Sequence, residues 1–382
     1  LSRVLYLDNL GADYGSYFLY HGFVKLLGAD RVIDWPYKRT FHGGHDRYPN
    51  RTASGVHLLG PTGTSLWRDP KLYRAWTRPR GDPTDAIDGP IRWYEAIDAR
   101  EWGFDEILAA IRAGEIKLIV LASPRWFNSI ALHEIRASIP SWQMPPIVFV
   151  DGEDPEAIRG DFLIEFRPLV AFKRTLLDRD PENFQDSGVP MYPLPFSSMW
   201  DIPWVPWAER TTDVFCVFGN TQANRPRIRD AAVRVAGRRG LKCMASIGHP
   251  MSHPEYLQAL AHSRVVIDHQ ASGSDTVRTW EALSAGACML TDMKLTLPTG
   301  GSLEDGVHLV RYPTDRSQTR DRQDIPAFEA RLDWALSDPA RAEAIARAGY
   351  ERLRSAHRTV GRARYVLEKA RKHGAGLGDL LG

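Results

Sequence analysis

Arg278 and Glu281 stand three residues apart in the run Gly273-Ser274-Asp275-Thr276-Val277-Arg278-Thr279-Trp280-Glu281-Ala282-Leu283-Ser284-Ala285-Gly286-Ala287-Cys288-Met289-Leu290. On a helix that spacing puts both side chains on one face. An arginine can grip a diphosphate as a fork, and a carboxylate can accept both hydroxyls of a ribose. The run reads as a glycine turn, a short helix with Ser274 or Asp275 as its cap, and a buried strand. The unpaired N–H groups and positive dipole end of such a helix suit a phosphate, so Gly273, Ser274, Asp275, Thr276, Arg278 and Glu281 together suggest a nucleotide-sugar site. The plainer alternative is a capped surface helix whose Arg278 and Glu281 pair with each other.

The elements that must position such a site alternate strand and helix along the chain. A strand over 3–7 leads through the loop 9–15 into a helix over 16–27 and a short strand over 31–34. Residues 36–90 are rich in Gly, Pro, Arg and aromatics without a period, and read as an irregular insertion. Regularity returns with helix 104–113, strand 116–122, helix 129–138 and strand 147–151. A proline- and tryptophan-rich crossing then leads to a second series: strand 213–218, helix 227–238, strand 241–246, the run above, strands 289–291 and 308–312, and helices over 326–336, 339–356 and 359–372. Such alternation predicts parallel sheets covered on both faces. At 382 residues the chain suits two domains.

With its neighbours, the run carries a resemblance. The segment from Tyr256 to Asp292 has an amphipathic helix, the strand Arg264-Val265-Val266-Ile267-Asp268, the glycine turn and then Trp280-Glu281-Ala282-Leu283-Ser284-Ala285-Gly286-Ala287. It resembles the donor half of GT-B glycosyltransferases of the "glycosyl transferases group 1" type, including the spore-maturation-protein-like and exostosin-like branches. The resemblance implies an α/β fold of two Rossmann-like domains facing across a cleft, with C-terminal helices packing back on the junction. The expected divisions are an acceptor domain over 1–195, a linker over 196–212, a donor domain over 213–355 and a helix and tail over 356–382. Glu281 matches the glutamate that binds the donor ribose. Retaining members carry a second acid eight positions earlier, and here that place is Gly273.

Further site residues are expected under this resemblance. Gly219-Asn220-Thr221 follows an apolar run and precedes Arg225, so its N–H groups and that cation would face the donor phosphates; an ordinary turn is the alternative. In the acceptor domain Asp13 is a candidate general base, with His21 the second, because an inverting transfer must deprotonate the acceptor hydroxyl. A capping role for Asp13 is the alternative. Asp151, Glu153 and Asp154 end a strand and would hold a cation, act as base, or form a turn. Lys173 and Arg174 would neutralise phosphate or pair with an acid. Asp178-Arg179-Asp180 spells a metal-binding pattern outside a nucleotide-fold strand, His42 and His45 supply only two ligands, and Gly60 to Ser65 lacks the lysine of a phosphate loop. No metal and no cofactor are therefore expected. Trp200, Trp204 and Trp207 would stack on sugars or pack the domain interface.

Composition adds exclusions. Hydrophobic residues make 43%, and 49 Lys and Arg against 47 Asp and Glu leave a formal +2, which implies no polyanion partner. Basic residues between Arg352 and Lys372 are interrupted by acids; nucleic acid is a minority expectation against a solvated helix face. Cys216, Cys243 and Cys288 lie in separate apolar runs and read as core residues of a reducing compartment. With no signal segment and no span, a cytoplasmic protein is expected. The function expected is metal-independent transfer of a sugar from a nucleoside diphosphate, UDP foremost, to a hydroxyl acceptor. The alternatives are a nucleotide-sugar epimerase of the same fold and a binding module without chemistry.

Overall fold

Apolar runs without alternation, such as Val4 to Leu7 and Leu118 to Leu121, suit parallel strands covered on both faces, and every residue of both runs is fully buried. They pair as parallel neighbours in the computed structural model, which describes residues 1–8, 14–35, 100–123, 126–153, 158–176, 188–219, 224–248, 251, 253–269, 275–293, 297–298, 301–313 and 324–381. The described chain divides into two compact units, residues 1–194 with 359–382, and residues 195–358.

The first unit runs β1 (Arg3–Leu7), α1 (Tyr14–Leu27), β2 (Val32–Trp35), α2 (Phe104–Arg112), β3 (Ile116–Leu121), α3 (Trp126–Ser138), β4 (Ile147–Asp151), α4 (Gly160–Phe166), β5 (Val170–Lys173) and β6 (Met191–Pro193). Its parallel sheet has the order β2-β1-β3-β4-β5-β6. Helix α2 shows why such segments fold as they do. Phe104, Ile107, Leu108 and Ile111 recur at helical spacing and are buried, while Glu106 reaches back to accept the Gly103 N–H at 2.8 Å. That bond, followed by Arg100, holds the Glu106 carboxyl below its ordinary range.

The second unit contains β7 (Thr212–Phe218), α5 (Arg225–Arg238), β8 (Cys243–Ile247), α6 (His253–Ala261), β9 (Ser263–Ile267), α7 (Val277–Ser284), β10 (Cys288–Thr291), β11 (Val310–Arg311), α8 (Ile325–Leu336) and α9 (Pro339–Ala356). Its parallel sheet has the order β11-β10-β9-β7-β8. Helix α7 ends at Gly286, whose φ of 67° is the left-handed conformation that closes a helix; a Cβ there would stand 2.7 Å from the Trp204 ring. Cys216, Cys243 and Cys288 lie in β7, β8 and β10 as free thiols. Burial pushes Cys243 up to about 11, Cys288 up to about 12 and Cys216 higher still, so they act as small core groups.

The last helix, α10 (Thr359–Lys372), returns to the first unit and packs along α1. Close approach requires Gly22, where a Cβ would meet the Thr359 carbonyl oxygen at 2.2 Å.

Several boundaries differ from the expected ones. Residues 196–212 are part of the second unit, not a separate linker, because Phe196 N–H donates to Asp275 at 2.9 Å and Arg210 ties Val205 and Ser263 together. The change of unit near the C-terminus falls at Thr359, where α10 begins, instead of near 356. Helix α3 starts three residues earlier than expected, and β11 is only Val310–Arg311. The insertion expected over 36–90 lies outside the described residues.

Candidate functional site

In the second sheet the chain runs from β7 outward to β8, then crosses back to β9 on the other side of β7. The strand order therefore reverses between β7 and β9, and open α/β sheets bind ligands beyond the carboxyl ends of strands at such a reversal. Gly219 follows β7, Asp268 and His269 follow β9, Asp292 follows β10 and Tyr312 follows β11.

Two guanidinium groups gather at this edge. Arg225 opens α5, is 5% exposed, and donates from Nη1 to the Gly219 carbonyl at 2.9 Å. Arg278, the second residue of α7, is 7% exposed and donates from Nε to the Tyr256 hydroxyl at 3.0 Å. Their guanidinium carbons lie 5.5 and 5.0 Å from the centre of the Phe218 ring, within cation–π range. Burial and then the neighbouring Arg278 push Arg225 below its ordinary value, while Asp268 and Asp292 oppose the shift. Burial also works against the Arg278 charge, but Tyr256, Asp268 and Glu281 outweigh it and hold the group above its ordinary value. Burial pushes the Tyr256 phenol far up, so it stays protonated and accepts from Arg278. Two buried, like-charged groups repel, and an anion between them would relieve that repulsion.

The local sequence sets the start of α7. Thr276 is the cap, one or two residues beyond the expected Ser274 or Asp275, and it exchanges bonds with Thr279 across the first turn. Asp268 accepts the Thr276 hydroxyl at 2.8 Å on Oδ1 and the Thr279 hydroxyl at 2.5 Å on Oδ2. The end of β9 thereby fixes the N-terminus of the helix that carries Arg278 and Glu281. Asp275 turns inward, where Oδ2 accepts from Phe196 N–H at 2.9 Å and Trp280 Nε1–H at 3.1 Å. Glu281 is buried on the same helix, one turn after Arg278. Behind them, His269 Nδ1 lies 2.9 Å from Asp292 Oδ2 and 2.9 Å from the Tyr312 hydroxyl, and that hydroxyl donates to the Asp268 carbonyl at 3.1 Å.

The structure thus brings Gly219, Arg225, Asp275, Thr276, Arg278 and Glu281 into one unit, with Asp275 serving packing. Asn220, Thr221, Gly273 and Ser274 lie outside the described residues, as do Asp13, Asp154, Asp178 to Asp180, His42, His45 and Gly60 to Ser65. His21 belongs to the first unit, on the α1 face packed against α10; it is 5% exposed with Nδ1 2.9 Å from Thr359 Oγ1. That is the position of a helix-packing histidine.

Lys173 takes the ion-pair alternative. Fully buried, it donates to Asp151 Oδ1 at 2.9 Å and to the Glu153 carbonyl at 3.0 Å, while Asp151 also accepts from the Glu153 and Arg159 N–H groups. Trp204 and Trp207 sandwich Arg210 inside the second unit, at 4.8 and 5.2 Å from its guanidinium carbon. Of the late basic residues, Arg354 and Arg358 pair with Asp201 and Arg362 is buried. Among the described residues no group of three or more His, Cys, Asp or Glu is placed to hold a metal, and no helix is long and apolar enough to cross a membrane.

The residues not anticipated are Asp268, His269, Asp292 and Tyr312. For Asp268 and His269 the signal was present, since they directly follow the apolar run Val265-Val266-Ile267 at a strand's carboxyl end. Asp292 and Tyr312 sit at two further strand ends, and only the sheet order brings them to His269.

Residues 220–368 match the family described as glycosyl transferase-like. No functionally curated protein matches the chain in sequence. Among solved structures, an alpha-glucosyltransferase in complex with UDP-glucose and DNA containing an abasic site aligns over 96% of this chain and 98% of its own, at 12% identity and TM-score 0.53. Sucrose-phosphate synthase from Thermosynechococcus elongatus aligns over 97% and 99%, at 11% identity and TM-score 0.51. The pneumococcal O-GlcNAc transferase GtfA, solved with UDP and GlcNAc, aligns over 73% of this chain at 12% identity and TM-score 0.45, and this chain spans 62% of its length. The fold is that of GT-B glycosyltransferases, as expected, and the family match over residues 220–368 is a similarity to glycosyl transferase-like sequences.

Proposed function

We propose that this chain transfers a sugar from a nucleoside-diphosphate donor to a hydroxyl acceptor without a metal ion. The observation that carries the reading is the pair of buried guanidinium groups, Arg225 and Arg278, on the Phe218 ring at the strand-order reversal of the glycosyl transferase-like unit. Breaking the glycosidic bond leaves negative charge on the departing diphosphate. Arg225, Arg278 and the N–H groups at the start of α7 are fixed before the substrate arrives, so they stabilise that charge without reorganising. A metal would supply the same stabilisation, and the two cations take its place. Glu281 accepts the ribose hydroxyls, which makes the donor a ribonucleotide; UDP is the first nucleotide to test.

The acceptor binds in the first unit, and Asp13 is proposed as its general base. Gly273 stands where retaining relatives carry an acid, so an external base that deprotonates the acceptor suits this chain better than a mechanism built on that acid.

The test incubates the protein with UDP-, GDP- and ADP-glucose and a panel of hydroxyl acceptors, with EDTA present. Release of nucleoside diphosphate that survives EDTA and is abolished by Glu281→Ala supports the reading. Donor binding with no release on any acceptor marks a binding module instead, and interconversion of free donor sugars marks an epimerase.

A further inference from the structure

One cleft of the first unit has no part in the donor-site reading. It encloses about 540 Å³, a volume that suits a small molecule. Leu26 and Leu27 at the end of α1 line it, together with Leu380 and Leu381 of the last turn, Gly378–Leu381. Leu380 is buried, while the other three leucines keep part of their surface open. Arg31 also lines the cleft and directly precedes β2; its Nε donates at 3.1 Å to the carbonyl of Ser2, which directly precedes β1. The cleft therefore lies at the amino ends of these strands, whereas open α/β sheets bind ligands beyond the carboxyl ends.

The charges in the cleft divide into those that are already paired and those that are not. Arg31 Nη2 pairs with Asp379 Oδ2 at 2.8 Å and donates to the Asp379 carbonyl at 3.0 Å. A hydrogen bond from the Ser2 side chain, with Arg31 adding to it, holds the Asp379 carboxyl below its ordinary range. Those two charges cancel. Arg364, Glu368 and Arg371 come from α10 at steps of four and three residues, so they share one helix face. All three are exposed, and among the described residues none of their side chains makes an ion pair or hydrogen bond. Two guanidinium groups thus stand against one carboxylate, which leaves one positive charge beside the leucines. A guanidinium is a fork for phosphate or carboxylate, and part-open leucines favour an aliphatic group that covers them.

We propose that this cleft is a second ligand site, independent of the donor site, for a small amphipathic anion: a phosphate or carboxylate held by Arg364 and Arg371, joined to an aliphatic chain that lies on Leu26, Leu27 and Leu381. Glu368 between the two arginines limits the net positive charge to one, which fits a ligand of one or two charges and not a polyanion. Such a ligand is either a free amphiphile or the headgroup of a lipid.

The test is calorimetric titration of the full chain with octyl phosphate below its micelle concentration. Inorganic phosphate and octyl glucoside serve as ligands that carry only the charge or only the chain. Octyl phosphate is expected to bind about tenfold or more tightly than either. Combining Arg364→Gln with Arg371→Gln should weaken it by about tenfold or more, at an unchanged melting temperature because both side chains are exposed. Arg225→Ala and Arg278→Ala should leave it unchanged, which separates this site from the diphosphate site. No binding of octyl phosphate, equal binding of inorganic phosphate or octyl glucoside, or binding that the double variant retains overturns the inference, and none of these results bears on the donor site. Cosedimentation with phosphatidylglycerol vesicles but not with phosphatidylcholine vesicles, lost in the double variant, identifies a lipid headgroup as the source. Octyl phosphate binding without cosedimentation identifies a free amphiphile.

Discussion

The Thr279 hydroxyl donates to Asp268 Oδ2 at 2.5 Å, so the end of β9 holds the first turn of the helix that presents Arg278 and Glu281. The same carboxylate accepts the Thr276 hydroxyl at 2.8 Å, so it ties the helix cap to the strand end as well.

Asp268→Ala should therefore loosen the start of α7. It leaves two threonine hydroxyls without their acceptor, at a cost of about 1–3 kcal/mol each if they stay buried and unsatisfied. The melting temperature of the second unit should fall by several degrees, and UDP-glucose should bind more weakly even where the unit remains folded. Thermal melts and calorimetry read the two effects separately.

The two arginines should differ from ordinary surface cations. If the proposed donor site is right, Arg225→Ala and Arg278→Ala each remove a charge-assisted partner of the diphosphate, worth about 1.5–3 kcal/mol, or roughly tenfold to a hundredfold in affinity. Arg278→Lys should recover little of that loss, because a lysine lacks the planar fork that can bond Tyr256 through Nε and keep its other N–H groups for the proposed diphosphate.

In the first unit, Lys173→Met should be strongly destabilising, by about 3–5 kcal/mol, because it strands the buried Asp151 charge. The paired change Lys173→Met with Asp151→Leu should recover part of the loss. Denaturant midpoints for the single and double variants test this.

His308 gives a pH effect whose sign follows from its neighbours. Burial first, then Arg352, pushes it below its ordinary value, and the Glu304 N–H donates to Nδ1 at 3.1 Å, which the protonated ring cannot accept. The folded state thus binds this proton less readily than the unfolded chain. The stability contributed by neutral His308 is present above the unfolded value and is lost as pH falls through the folded one. Between pH 7.5 and 5.5 the wild-type melting temperature should fall more than that of His308→Gln; parallel curves would refute the assignment.

Much of this was legible in sequence, and what was not has a physical reason. The runs that became β1, β3, β4, β7, β9 and β10 are mostly apolar, with Arg3, Lys117, Asp151, Asp213 and Arg264 as the charged exceptions, because parallel strands are covered on both faces. Arg278 and Glu281 declared themselves through helical spacing. The cap did not, since Ser274, Asp275 and Thr276 are all good caps and the choice of Thr276 depends on Asp268 from another element. The His269, Asp292 and Tyr312 constellation depends on sheet order, which local pattern does not encode. The place of α10 depends on contacts such as Gly22 with Thr359, more than three hundred residues apart.

The central claim is that the sheet edge at β7 and β9 binds a nucleoside diphosphate through Arg278 and Glu281. The most direct measurement is a thermal-shift screen with UDP, GDP, ADP, CMP and dTDP on the wild-type protein, with Glu281→Ala and Arg278→Ala in parallel, because a ligand that binds only the folded state raises its melting temperature. A shift for one ribonucleoside diphosphate that disappears in both variants is the predicted result. No shift with any nucleotide, or a shift that both variants retain, would contradict it.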